Sequence, residues 1–237
     1  MSMPQSQYSN RQPSTKDNNE KNGREYGIFG DKLNSNKNKK TTRVVFHNVR
    51  GFGYKKDQLK TESIKEVVLG TKADIYCMMA EINTSWKLIS KQHTIKEVSR
   101  YWFERSTTST AQNTFHHSKK QHQPGGEAII SQGHLSLRVS NITNDKRKIG
   151  RWTSQLFKGK GSIKTRVVAV YVPHVAREHR SKKIFCQQQK ALLNQKVTGA
   201  VPTVFWQDFW EQIDEWIEDG EQLVITGDWN EDVRNHG

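Results

Sequence analysis

Hydrophobic positions become frequent only from about Thr42 onward. Before that, Met1 to about Lys40 is rich in Ser, Asn, Gln and Lys, with no apolar period of 2 or 3.6. Such a stretch buries too little apolar surface to offset the entropy of ordering, so residues 1–40 read as a disordered basic tail. Tyr26-Gly27-Ile28-Phe29 is its only apolar patch. Arg43-Val44-Val45-Phe46 then predicts a short strand, stopping at the turn Asn48-Val49-Arg50-Gly51. Leu59, Ile64, Val67 and Val68 share one helical face, and the helix is expected to end at Gly70. Ala73 to Ala80 is nearly continuously apolar, as in a strand covered on both faces. A second helix is expected at roughly Ser85 to Ser99, an aromatic strand at Tyr101-Trp102-Phe103, and a long polar loop from Ser106 to Pro124.

Strands resume at Glu127 to Ile130, around Leu135 to Val139, at Trp152 to Phe157 and at Thr165 to Val172. Lys158-Gly159-Lys160-Gly161 supplies a hairpin turn between the last two. Helices are expected near Lys183 to Leu193 and Thr203 to Ile217, the latter with Phe205, Phe209, Ile213, Trp216 and Ile217 along one face. Leu223-Val224-Ile225-Thr226 is the last strand and runs into Gly227-Asp228-Trp229-Asn230. Strand, helix, strand and helix, then hairpin strands, helices and another strand is a mixed α/β order. Two sheets packed face to face with helices outside account for it.

Charge adds the partner class. The chain of 237 residues carries a formal charge of +14, with pI near 9.8, which points to a polyanion, nucleic acid first and an anionic membrane surface second. The cysteines, Cys77 and Cys186, build no disulfide framework, and Cys77 lies in an apolar run. A reducing, intracellular setting follows, in nucleus or cytoplasm. No apolar run reaches transmembrane length, and the N-terminus has no signal-peptide centre.

Candidate chemistry sits at strand ends. Ile225-Thr226-Gly227-Asp228-Trp229-Asn230 delivers a carboxylate and an amide, two residues apart, to the end of a strand. Together they suit holding a water and a phosphate oxygen. Glu81 ends the Ala73–Ala80 strand. A carboxylate there is costly unless it is paired or binds a cation, and a hard ion such as Mg²⁺ or Mn²⁺ takes such oxygens. Taken alone, Glu81 equally suits the start of a helix capped by Asn83, Thr84 or Ser85. Asn48 ends the first strand and Tyr171 another, in Val170-Tyr171-Val172-Pro173. A zinc site from His116, His117, His122 and a cysteine matches no compact finger spacing.

In that order, Asn48 in an Asn-x-x-Gly turn, Glu81 after an apolar strand, Gly125-Gly126 before a strand, Tyr171-x-Pro173 and Gly227-Asp228-x-Asn230, the chain resembles the endonuclease/exonuclease/phosphatase superfamily. Glu81 to Trp86, Gly150-Arg151-Trp152 and Gln187-Gln188-Gln189 are similar to endonuclease-like segments of eukaryotic retroelements of the non-LTR type. The resemblance spans Thr41 to about Val233. It implies a four-layer α/β sandwich over residues 41–237 and Mg²⁺- or Mn²⁺-dependent phosphodiester cleavage, with DNA as the partner. By position, Glu81, Asn48 and Asp228 would hold the metal. Asp228 would orient the attacking water, Asn230 and Asn48 would bind phosphate or metal-shell oxygens, and Tyr171 would contact the scissile phosphate.

The chain departs from the pattern at Arg50, where Asn or Asp is usual, and at Ala80, where Gln is usual. The family's later Asp and closing Ser-Asp-His segment find no counterpart before Gly237, and His236 lies too close to Asn230 to replace that His. The expectation is a domain incomplete at its C-terminus and weakly active or inactive as it stands. Two readings follow, a divalent-metal DNA endonuclease and a catalytically dead nucleic-acid-binding remnant.

Overall fold

The computed structural model describes residues 37–38, 40–49, 58–79, 94–114, 126–172 and 184–230, all within the compact unit Leu33–Gly237. Most of the N-terminal tail, Arg50 and Gly51, Ala80 to Trp86, the histidines at 116, 117 and 122, Gly125, Pro173 to Lys183 and His236 lie outside the described residues.

The strands are β1 (Val44–Asn48), β2 (Ile75–Met79), β3 (Ser106–Ala111), β4 (Glu127–Gln132), β5 (Val139–Asn144), β6 (Trp152–Lys158), β7 (Lys164–Tyr171) and β8 (Glu221–Asp228). The α-helices are α1 (Gln58–Gly70), α2 (Thr94–Trp102), α3 (Ile184–Asn194) and α4 (Val201–Glu218). They form two mixed four-stranded sheets, ordered β1-β2-β4-β3 and β5-β6-β7-β8. Each sheet has one parallel pair, β1 with β2 and β7 with β8, and the remaining neighbours are antiparallel.

Side-chain alternation builds the layers. On β2, Ile75 and Cys77 meet Ile129 of β4 and Val167 and Ala169 of β7 in the core between the sheets. Tyr76 and Met78 turn the other way, with Ala128 and Ile130, onto Ile64 and Val68 of α1 and Ile95 of α2. On β7, Val168 and Val170 point outward to Phe205, Phe209, Ile213 and Trp216 of α4. Both central strands are therefore apolar on both faces, as helix-covered strands must be. The architecture is a four-layer α/β sandwich.

Four sequence expectations are corrected. Ile217, expected on the apolar face of α4, is 58% exposed, because it lies about 100° round the helix from Trp216. Tyr101 and Trp102 end α2 and Phe103 follows it, with Trp102 and Phe103 buried in the core while Tyr101 is 87% exposed. Ile95, Ser99 and Trp102 are the buried residues of this helix, at steps of four and three, so the period is helical and the aromatic run only imitates a strand. The stretch Ser106–Ala111 is strand β3, although it reads as polar loop. Its threonines suit a pleated backbone, and its buried positions, Ser109 and Ala111, are small. Gly133–Arg138 is a 3-10 helix, and strand β5 begins only at Val139. Leu135 is buried there and Leu137 exposed, a local spacing of two without a strand. The Lys158–Gly161 hairpin forms as expected, with Lys158 opposite Lys164.

Candidate active site at the strand ends

The parallel pairs deliver the polar residues to one end of the sandwich. In the first sheet Asn48 is level with Met79, and in the second Tyr171 is level with Asp228. β1 and β8 are edge strands of different sheets and touch one another. Behind them, burial pushes the Cys77 thiol up to about 12, with a hydrogen bond from Thr226 acting against the shift. Cys77 is thus a packing residue rather than a nucleophile.

Asn48 Nδ2 donates to Asp228 Oδ2 at 2.7 Å, joining residues 180 positions apart. The other Asp228 oxygen accepts the Asn230 backbone N–H at 3.2 Å, an Asx-type turn. Asn230 has φ of 51°, which Asn tolerates better than most residues, and its Nδ2 donates to the Val172 carbonyl at 2.6 Å. The Val172 N–H in turn donates to the Asp228 carbonyl at 2.9 Å. The structure brings Asn48, Tyr171, Asp228 and Asn230 to one strand-end cluster, and Glu81 lies outside the described residues.

The local sequence explains why Asp228 sits where it does. A Cβ on Gly227 would lie 2.8 Å from the Val170 carbonyl oxygen, so only glycine lets β8 approach β7 this closely. Trp229 then stacks on Trp206 of α4, with centroids 5.6 Å apart and planes 8° from parallel, and also meets Phe209. The turn carrying Asp228 and Asn230 is anchored on one side by β7 and on the other by α4. Trp206 was not evident as a support from sequence, because it lies beside the apolar stripe of Phe205, Phe209, Ile213 and Trp216 rather than on it.

In the basic stretch Lys146-Arg147-Lys148 with Arg151, three of the four cations are committed to acidic side chains of the protein. Arg151 is fully buried, with Nη2 to Asp145 at 2.7 Å and to Asp208 at 2.7 Å. Arg147 binds the same Asp208, and Lys146 pairs with Glu215 at 2.5 Å. Burial alone would raise the Asp208 carboxyl, but hydrogen bonds from Arg147 and Arg151 outweigh it and hold it below its ordinary value. Gly150 before Arg151 has φ of 75°, and a Cβ there would lie 2.7 Å from the Asn113 backbone nitrogen. Gln188 and Gln189 of the Gln-Gln-Gln run are structural ties, donating to the carbonyls of Ile149 and Gly199.

Asp228 and the asparagines offer carboxylate and amide oxygens, the donor type that a hard divalent ion accepts. With Nδ2 engaged on Asp228, any cation contact from Asn48 must come from its Oδ1. Among the described residues no three His, Cys, Asp or Glu side chains gather as a ready-made metal cage. No helix among them is long and apolar enough to cross a membrane.

No family model matches the sequence, and no curated protein does. Among solved structures the chain is similar to the human Nocturnin catalytic domain with bound sulfate, at 14% identity and TM-score 0.45, over 81% of this chain and 64% of that one. It is similar to an endonuclease/exonuclease/phosphatase family protein from Leptotrichia buccalis, at 10% identity and TM-score 0.47, over 82% and 68%. An AP endonuclease from Archaeoglobus fulgidus aligns at 14% identity and TM-score 0.46, over 80% and 58%. The chain thus spans less than two thirds of the first and third of these neighbours. These likenesses are too distant to bear on activity.

Proposed function

We propose that the strand-end cluster hydrolyses phosphodiesters with a divalent metal ion, with DNA as substrate, in the manner of a retroelement endonuclease. The observation that carries this reading is the 2.7 Å contact between Asn48 and Asp228, which closes the ends of two different sheets into one polar centre. A strand-end carboxylate held by an amide and by a backbone N–H is oriented, and no Lys or Arg among the described residues forms an ion pair with it.

In this reading Asp228 orients the attacking water and accepts its proton, geometry being fixed by the Asn48 and Asn230 contacts. Tyr171 donates its hydroxyl to a non-bridging oxygen of the scissile phosphate. Asn230 ties the turn to Val172 just past β7, and the second N–H of its Nδ2 would donate to a phosphate oxygen. Glu81, Asn48 and Asp228 would hold Mg²⁺ or Mn²⁺. When bound, the ion would offset the charge developing on the phosphate.

Manganese titration of the wild type and of Glu81→Gln, together with nicking of supercoiled plasmid by the wild type and Asp228→Asn, tests the reading. Glu81→Gln is expected to weaken Mn²⁺ binding about tenfold or more, and Asp228→Asn to reduce nicking by about 10²- to 10⁴-fold. Equal Mn²⁺ affinity in both proteins would sink the metal assignment. DNA affinity is expected to fall steeply between low and moderate salt, as counterion release requires. Salt-sensitive DNA binding with no nicking, unchanged by Asp228→Asn, would replace the enzyme by a non-catalytic DNA-binding domain.

A further inference from the structure

The end of the sandwich opposite the strand-end cluster carries cations that the fold itself does not engage. β4 runs antiparallel to β2, so Ser131 lies level with Ile75, while Asn48 lies level with Met79 at the other end. Between the end of α2, the start of β3 and the 3-10 helix Gly133–Arg138 runs a groove of about 320 Å³, whose lining includes Arg100, Phe103, Glu104, Arg105 and Leu137. Its floor is fixed by its own hydrogen bonds. Thr107 Oγ1 donates to the Ser136 carbonyl at 3.0 Å, Ser136 Oγ to the Gly133 carbonyl at 2.7 Å, and the Gly133 N–H to the Arg105 carbonyl at 3.0 Å. Arg43, Arg147, Arg151 and Arg166 are each engaged, on the Thr71 carbonyl or on carboxylates. The other described arginines, Arg100, Arg105 and Arg138, are exposed, enter none of the described hydrogen bonds or ion pairs, and all lie at this end.

Charge and shape select the occupant. Glu104 is the one acid among the described lining residues, against two arginines. The β6–β7 hairpin starts beside the same 3-10 helix, Phe157 being level with Val139, and brings exposed Lys158 and Lys160 to this end. A planar guanidinium presents a fork of donors that matches two oxygens of one phosphate. In the same groove Phe103 and Leu137, the latter 71% exposed, offer an apolar wall to a sugar or base. The groove is too small for a double helix, and the phosphates of a bilayer lie in a plane that a concave wall does not meet. We propose that this groove is a separate nucleic-acid site, which holds a single strand by backbone phosphates on Arg100 and Arg105, with Arg138 and Lys158 taking the phosphates that flank them. β4 is six residues long, which sets the groove roughly 20 Å from the strand-end cluster. The site is independent of the hydrolytic reading above and holds a strand whether or not the cluster cleaves.

The test uses the full chain with three probes: a labelled single-stranded oligonucleotide, a duplex of the same length, and vesicles containing an anionic phospholipid. The single strand is expected to slow amide exchange at Arg105 to Thr107 and at Gly133 to Arg138, and the other two probes to leave those amides as they are. Arg100→Ala combined with Arg105→Ala should weaken binding of the strand about tenfold or more. It should also flatten the fall of log affinity with log salt by about 1.4, two phosphate contacts at roughly 0.7 each. Arg138→Ala, on a different element, should act in the same direction. Lys190→Ala combined with Lys196→Ala removes the same charge from exposed positions on and just after α3 and should leave both affinity and salt slope unchanged. All of these replace exposed side chains, and circular dichroism checks their folding. Undiminished binding by the arginine variants, an equal loss in the lysine variant, an unaltered salt slope, or no protection of the 3-10 helix would overturn the proposal. So would stronger protection of the same amides by the duplex or the vesicles, since the occupant would then be a double helix or a bilayer.

Discussion

At the scale of single residues, Glu127 is the one whose surroundings least match its chemistry. It begins β4, is fully buried, and neither carboxyl oxygen has a hydrogen-bond partner among the described residues. Burial, and then the negative charge of Asp145, pushes its carboxyl well above the ordinary value. The native state therefore keeps a proton that the unfolded chain releases near pH ~4.3. Between that value and the raised native one, the folded protein binds more protons, so this group makes stability fall as pH rises. Glu127→Gln keeps the shape and removes the titration. The variant should melt higher than the wild type at neutral and alkaline pH, with the gap closing as pH is lowered toward 5. A melting-temperature difference that stays constant across that range would show that Glu127 is satisfied as the anion.

At the scale of elements, the pairing of β7 with β8 sets the site. Tyr171 and Asp228 share a level only because Gly227 allows the two backbones to approach at Val170. In Gly227→Ala the new methyl meets a backbone oxygen, which cannot turn aside as a side chain would. Overpacking of this kind costs about 1–3 kcal/mol. The displaced strand end should also reduce Mn²⁺ affinity and plasmid nicking together. Gly70→Ala is the matched control, because nothing lies within 4 Å of a Cβ there and its φ is not in the left-handed region. If Gly227→Ala melts like Gly70→Ala, the close approach does not constrain the strands.

At the scale of the whole molecule, Arg151 joins parts that are distant in sequence. From the start of β6 it reaches Asp145 after β5, and Asp208 and the Val204 carbonyl on α4, while its guanidinium lies 4.6 Å from the centre of the Trp152 ring. Removing it leaves Asp145 and Asp208 without their shared buried cation. Arg151→Leu is expected to cost about 3–5 kcal/mol, the range for breaking one side of a buried pair. Lys146→Ala, which breaks the exposed pair with Glu215, should cost at most about 1 kcal/mol. Denaturant unfolding of the two variants checks the contrast. Equal losses would mean that the buried network does not hold α4 against the sheet.

What was legible in the sequence is what local period and turn chemistry determine. Apolar runs on both faces announced β2 and β7, helical spacing announced α1, α3 and α4, and glycines marked the hairpin at Lys158–Gly161 and the end of β8. The layer order followed, because strands apolar on both faces must be covered on both. Polar segments were not legible, since β3 is a strand by virtue of pairing with β4 and not through any apolar alternation of its own. Site residues could be nominated one at a time, Asn48 and Asp228 among them. Their meeting, and the nearness of Asp145 to Glu127, depend on how two sheets stack. The packing of α4 on the second sheet decided that Arg151, which composition counts as surface charge, is a buried structural ion. Sequence records which groups are present and their local periodicity. Only tertiary packing sets the distance between groups far apart in the chain, and with it desolvation, pairing and charge.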